Sequence, residues 1–219
     1  MDKAPRYAQL YDMDFSKLSS AQYFSLKYLL RVELLALQAD VIENDRCICI
    51  LTEGRDTAGK TSALKFMTKN LIPKHFKFIP SFIPTTNENN NWLTTWQKKL
   101  PKPGQIAFFD RSWYSRALIQ PAMDYCSQEQ YENFLDQIDN FEQSLLDKNV
   151  EIIKLYFSIS SNNQAIRLIN RKRSPLKYWK YSDNDEQLAD KWDVFTDYKS
   201  KLFNHGSQCK TPWTIIEAN

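Results

Sequence analysis

Glycine is scarce in this chain, with four among 219 residues, and two of them, Gly54 and Gly59, fall within one six-residue stretch. Histidine is scarcer still, at two residues, and with no Cys/His cluster a zinc site is improbable. The four cysteines, Cys47, Cys49, Cys126 and Cys209, show no C-x-x-C spacing, and Cys47 and Cys49 share one face of a strand, which points to core packing. No run of 18 apolar residues occurs, so no membrane partner is expected. The first residues, MDKAPRYAQLYDMDFSKLSS, lack an apolar segment of the secretory kind, and a cytoplasmic location is expected. A net charge of +3 is too small to argue for nucleic acid by itself. A hydrophobic content of 42% and a length of 219 residues suit one soluble domain with a sizeable core.

The glycines that are present sit in ICILTEGRDTAGKTS, residues 48–62. Gly54 to Thr61 satisfies G-x-x-x-x-G-K-[ST] in full, between an apolar run and a helical pattern. Such a loop turns its backbone N–H groups toward phosphate oxygens, so Gly54, Arg55, Thr57, Ala58, Gly59 and Thr61 are candidate phosphate binders. Lys60 supplies a point charge, the Thr61 hydroxyl can reach a magnesium ion, and the helix that follows adds its dipole.

Further along, residues 1 to 20 read as an arm over the surface, and 21 to 43 as an amphipathic helix. Residues 46–52 form a strand of the doubly buried parallel type. A second strand is expected over 76–83, a functional loop over 84–91 and a short helix over 92–100. Strands at 105–109, 150–158 and 214–216 alternate with helices at 127–148 and about 185–203. Alternation without an internal repeat gives an α/β fold with a mainly parallel, doubly wound sheet and a helical layer on each side. The whole chain, 1–219, reads as one domain.

The strand at 105–109 closes on Asp110, about fifty residues after Lys60, as a Walker B carboxylate does. Asp110 can hold Mg²⁺, and adjacent Arg111 can aim a fork of donors at phosphate oxygens. Arg116 joins that anion site or lies at the surface. Asp56 is unusual inside a phosphate loop; it is either a second magnesium ligand or a capping carboxylate. Between 162 and 180 lie Arg167, Arg171, Lys172, Arg173, Lys177 and Lys180. Arg167 and Arg171 share a helical face, and Ser174-Pro175 breaks the helix. The run suits a basic lid, at about 162–185, that closes over phosphates and excludes water. It carries more charge than a triphosphate needs.

These strings together resemble the type 2 polyphosphate kinases, P-loop enzymes related in fold to thymidylate kinase. The resemblance is carried by EGRDTAGK (Glu53 to Lys60), PTTNENNNW (Pro84 to Trp92), FDRSWYSRA (Phe109 to Ala117), RLINRKRSPLKYWK (Arg167 to Lys180) and KWDVFTDYK (Lys191 to Lys199). It implies magnesium-dependent phosphoryl transfer between inorganic polyphosphate and nucleoside di- and triphosphates, by a homo-oligomer, dimer or tetramer. It places catalytic roles on Asp56, Lys60, Asp110, Arg111 and Arg171. Ser115 stands where the family usually has asparagine. Two rivals remain: an ATP-dependent small-molecule kinase, and a non-catalytic module gripping single-stranded nucleic acid through its basic and aromatic residues.

Overall fold

The computed structural model describes residues 17–181, 187, 190–205 and 210–219. The expected arm, up to residue 16, the start of the last expected helix, and Cys209 lie outside them. Five parallel strands form one sheet: β1 (Cys47–Gly54), β2 (Phe76–Pro80), β3 (Gln105–Asp110), β4 (Val150–Ser158) and β5 (Trp213–Glu217), in the order β2-β3-β1-β4-β5. The helices are α1 (Ser20–Glu43), α2 (Lys60–Thr68), α3 (Thr86–Asn90), α4 (Trp92–Gln97), α5 (Ile119–Ala122), α6 (Gln128–Leu146), α7 (Ser161–Arg173) and α8 (Trp192–His205).

Two-residue alternation along β1 builds a core on each face of the sheet. Ile48 and Ile50 pack with Val41, Leu64, Ile106 and Phe108 on one side. Cys49 and Leu51 pack with Phe109, Trp96, Trp113, Phe134, Ile138 and Phe195 on the other. Cys47 packs against that same cluster, and Cys47, Cys49 and Cys126 are free thiols. Such a strand has no solvent face, which is why its sequence is an unbroken apolar run. Each large side chain so buried contributes ~1.5–3 kcal/mol.

Three expectations change. The segment 84–91 is largely helical, because Thr85 caps α3 and Glu88 reaches back to the Thr85 N–H, a reciprocal cap that gives this polar run a helix start. β2 ends at Pro80, and Phe82 beyond it is exposed. Helix α1 forms, opened by a Ser19 cap, but it is not one-sided. Only Gln38 and Val41 are buried in it, and Tyr23, Phe24, Tyr28 and Leu29 are exposed. Among the described residues no helix is long and apolar enough to cross a membrane.

Candidate active site

The pairing of β1 with both β3 and β4 decides where the chemistry gathers. Thr52 pairs with Asp110 and Gly54 with Phe157, so the carboxyl ends of the three central strands open side by side. At Gly54 a Cβ would lie 2.3 Å from the Phe157 carbonyl oxygen, and φ is +131°, so glycine is required there. Gly59, at φ +103°, makes the opposite turn that starts α2. Two non-glycine residues at the site, Thr57 (φ 63°) and Arg111 (φ 65°), also occupy the left-handed region. Such backbone costs ~1–3 kcal/mol and persists only where surroundings enforce it.

A cavity of about 670 Å³ opens above these strand ends, lined by Asp56, Thr57, Gly59, Lys60, Thr61, Asp110, Arg111, Arg167, Arg171 and Lys177, among others. The phosphate loop, the end of β3 and the basic helix therefore meet around one space. Lys60 is buried, and its Nζ donates to the carbonyls of Gly54 and Arg55 at 2.9 and 2.8 Å. Burial, with Arg111 nearby, pushes its pKa down to about 8. The Thr61 hydroxyl donates to Asp110 Oδ2, which sets two oxygen atoms side by side at the helix start.

Arg111 Nη2 donates to Asp56 Oδ1 at 2.7 Å. Burial would raise the Asp56 carboxyl, but Arg111 and Lys60 outweigh it and hold it below the usual carboxylate range. Glu53, fully buried, is a member that sequence reading passed over. Its Oε1 accepts from the Ser112 N–H, the Ser112 hydroxyl and the Ser115 hydroxyl at 2.8–3.0 Å. Its Oε2 lies 3.8 Å from Arg111 Nη1, too far for a hydrogen bond, and neither atom has such a partner. Burial raises the Glu53 pKa against the opposing pull of Arg111. The signal available beforehand was an acid ending a doubly buried strand. Gln164 and Asn170, also at the site, carried none.

Of the expected phosphate contacts, the side chains of Arg116, Lys172 and Arg173 fall elsewhere, and Arg55 keeps only its backbone N–H for that role. The Arg55 side chain turns away and stacks on Trp192 of α8, its guanidinium carbon 3.4 Å from the ring centre. Arg116 packs on Trp92 and donates to Asn89 and Gln130, beside a second cavity of about 390 Å³. The 3₁₀ turn Trp113–Ala117 carries it away from Arg111. Lys172 and Arg173 do not line the phosphate cavity; Lys172 lies over the Tyr181 ring. A helix turns 100° per residue, so Arg167 and Arg171 face the cavity while the next two residues cannot. The Ala58 N–H bends back to the Arg55 carbonyl, 3.3 Å away, and the Ala58 side chain packs with Phe157 and Ile159.

Oxygen ligands suit magnesium, and the Asp110 carboxylate with the Thr61 hydroxyl beside it would be the residues to hold that ion. Among the described residues no cluster of three or more His, Cys, Asp or Glu is arranged to hold a metal by itself.

A phosphate loop, a carboxylate on the neighbouring strand and an arginine-bearing helix define a protein of the P-loop α/β class. The family model described as Polyphosphate kinase 2 (PPK2) matches residues 17–219, and the chain belongs to that family. It is 35% identical over 205 residues to the GDP-polyphosphate phosphotransferase of Pseudomonas aeruginosa, covering 93% of this chain and 57% of that protein. It is 31% identical over its full length to NDP-polyphosphate phosphotransferase 3 of Ruegeria pomeroyi, covering 72% of that protein. The crystal structure of Polyphosphate Kinase 2 from Arthrobacter aurescens TC1 superposes with a TM-score of 0.83 at 25% identity, over 94% of this chain and 79% of that one. The chain thus spans less than two thirds of some relatives, 57% in the Pseudomonas case.

Proposed function

We propose that this protein moves a terminal phosphoryl group, reversibly, between inorganic polyphosphate and a nucleoside diphosphate. The observation that carries the reading is the single cavity shared by Lys60, Asp110 and the α7 cations Arg167 and Arg171, joined by Lys177. Relatives bearing the names GDP-, ADP- and NDP-polyphosphate phosphotransferase support the substrate class. In such a transfer positioning and charge neutralisation carry the chemistry. Loop amides and Lys60 hold the phosphates at the reacting end, Arg111 grips the nucleotide phosphate, and Arg171 with Lys177 guides the chain. Asp110 with Thr61, and Asp56, would hold magnesium, which would supply charge neutralisation.

The basic segment at about 162–185 serves as a lid on one domain spanning 1–219. Homo-oligomer formation is supported by the exposed apolar side chains of α1. A cytoplasmic setting, with no nucleic acid partner, completes the reading. Incubating AMP, ADP and GDP separately with polyphosphate and magnesium tests it. ATP from ADP and GTP from GDP are expected; transfer from ATP in a parallel incubation, with polyphosphate inert, would assign the chain to the ATP-dependent kinases.

A further inference from the structure

Four successive carbonyls of the phosphate loop are each taken by a donor. Lys60 Nζ holds those of Gly54 and Arg55. Gln164 Nε2 donates to the Asp56 carbonyl at 3.1 Å, and Arg167 Nη1 to the Thr57 carbonyl at 3.0 Å. In a trans peptide the C=O and the next N–H point in opposite directions. Fixing these four carbonyls therefore fixes the planes that carry the N–H groups of Arg55, Asp56, Thr57 and Ala58. Two of the four are fixed from outside the loop, by α7. Thr57 most needs such help, because a β-branched residue at positive φ does not hold that conformation unaided.

The other grip comes from the loop itself. Arg55 is 5% exposed and its guanidinium lies between Trp192 and Phe195 of α8, at 3.4 and 4.5 Å from the ring centres. Its Nη2 donates to the Trp192 carbonyl at 2.8 Å and to the Thr196 hydroxyl at 2.6 Å. Helix α7 forms the first part of the basic segment and α8 follows the segment. Three consecutive loop residues are thus tied to the two stems of that segment, and of the three side chains that make these ties only Arg167 lines the cavity.

We propose that Arg55 is a positioning residue which, with Gln164 and Arg167, couples the phosphate loop to both stems of the basic segment, so that occupancy of the loop and the placement of α8 change together. This rests on the phosphate reading of the cavity. The planar guanidinium stacks on Trp192 while its Nη2 serves both acceptors; lysine keeps the charge but has no plane to stack, so it is no substitute.

The test uses tripolyphosphate with Mg²⁺ as probe, read by calorimetry and by amide hydrogen exchange over residues 192–205. In the wild type, binding should slow exchange in α8, although no α8 residue lines the cavity. Arg55→Lys should bind about tenfold more weakly and lose that slowing. Gln164→Leu, which keeps volume but removes the donor to Asp56, should weaken binding about threefold; it decides the matter should Arg55→Lys not fold. Affinities within twofold of wild type, or a lowered Tm with α8 slowing intact, would overturn the coupling and leave Arg55 a packing residue. A wild type that binds no tripolyphosphate would instead overturn the phosphate reading.

Discussion

Two clusters of buried charge sit on the same sheet, and they are finished differently. On β4, Lys154 is 1% exposed and its Nζ donates to Glu142 Oε2 and to the Tyr114 hydroxyl, both at 2.9 Å. Glu142 also accepts from Trp113 Nε1 and from the Thr211 hydroxyl, and the Lys154 ammonium lies over the Tyr114 and Trp213 rings. This network ties β4, α6, the turn after β3 and the approach to β5 into one unit, its charges paired and bonded. At the end of β1, by contrast, Glu53 Oε2, Arg111 Nη1 and Thr57 Oγ1 lack hydrogen-bond partners. The paired cluster stabilises the fold. The incomplete one keeps bonding capacity for a ligand, and unsatisfied buried polar groups cost ~1–3 kcal/mol each until something fills them.

That contrast can be broken from either side. The largest stability effect should come from Lys154→Met, which strands the Glu142 charge in the core and should cost ~3–5 kcal/mol by urea unfolding. Lys60→Ala should do the reverse, leaving the fold in place while lowering turnover ~10²–10³-fold, the usual cost of losing one preorganised charge or donor. Equal losses of stability in both variants would erase the distinction.

The carboxylates come next. Asp110→Asn and Asp56→Asn keep shape and remove charge, so each should reduce turnover severely, with part of the loss restored by raised Mg²⁺. Asp56 is held by Arg111 in this structure, so turnover in Asp56→Asn that magnesium fails to restore would assign its carboxylate to orienting Arg111 alone.

Lys60 also sets a pH dependence. Its folded pKa of about 8 lies below the ordinary 10.5. Between those values the unfolded chain holds a proton that the folded one has released, so this group's contribution to stability rises with pH across that window. Binding runs the other way. Tripolyphosphate affinity should fall as pH climbs past about 8, and it should fall less in Lys60→Arg, whose charge persists.

The smallest effect belongs to Lys177, which lines the cavity from the segment after α7. Lys177→Ala should raise KM for long polyphosphate at low salt and converge with wild type at high salt, as exposed pairs worth ~0.2–1 kcal/mol do. Lys172→Ala and Arg173→Ala should change less, since neither lines the cavity.

The parts of the site legible in the sequence were those dictated by local spacing. Gly54, Gly59, Lys60 and Thr61 follow one loop geometry, and Asp110 follows from an apolar strand ending in acid. Side-chain direction was not legible. Arg55 sits inside the loop motif yet reaches α8, because its neighbours in space lie 137 residues away in sequence or further. Arg116 shares a short basic spacing with Arg111, but a 3₁₀ turn separates their directions. Helix α1 shows the same limit in the fold. Its three- and four-residue apolar spacing fixed the helix, and only the tertiary arrangement revealed how few of its side chains are buried among the described residues.

Nucleoside triphosphate formed from ADP or GDP and polyphosphate, measured for wild type, Lys154→Met and Lys60→Ala at a temperature where all three are folded, tests the account most directly. The expected result is product from the wild type, a Lys154→Met rate within about twofold of it, and a Lys60→Ala rate lower by ~10²–10³. No product from polyphosphate in the wild type, or a Lys154→Met rate as low as that of Lys60→Ala, would contradict the account.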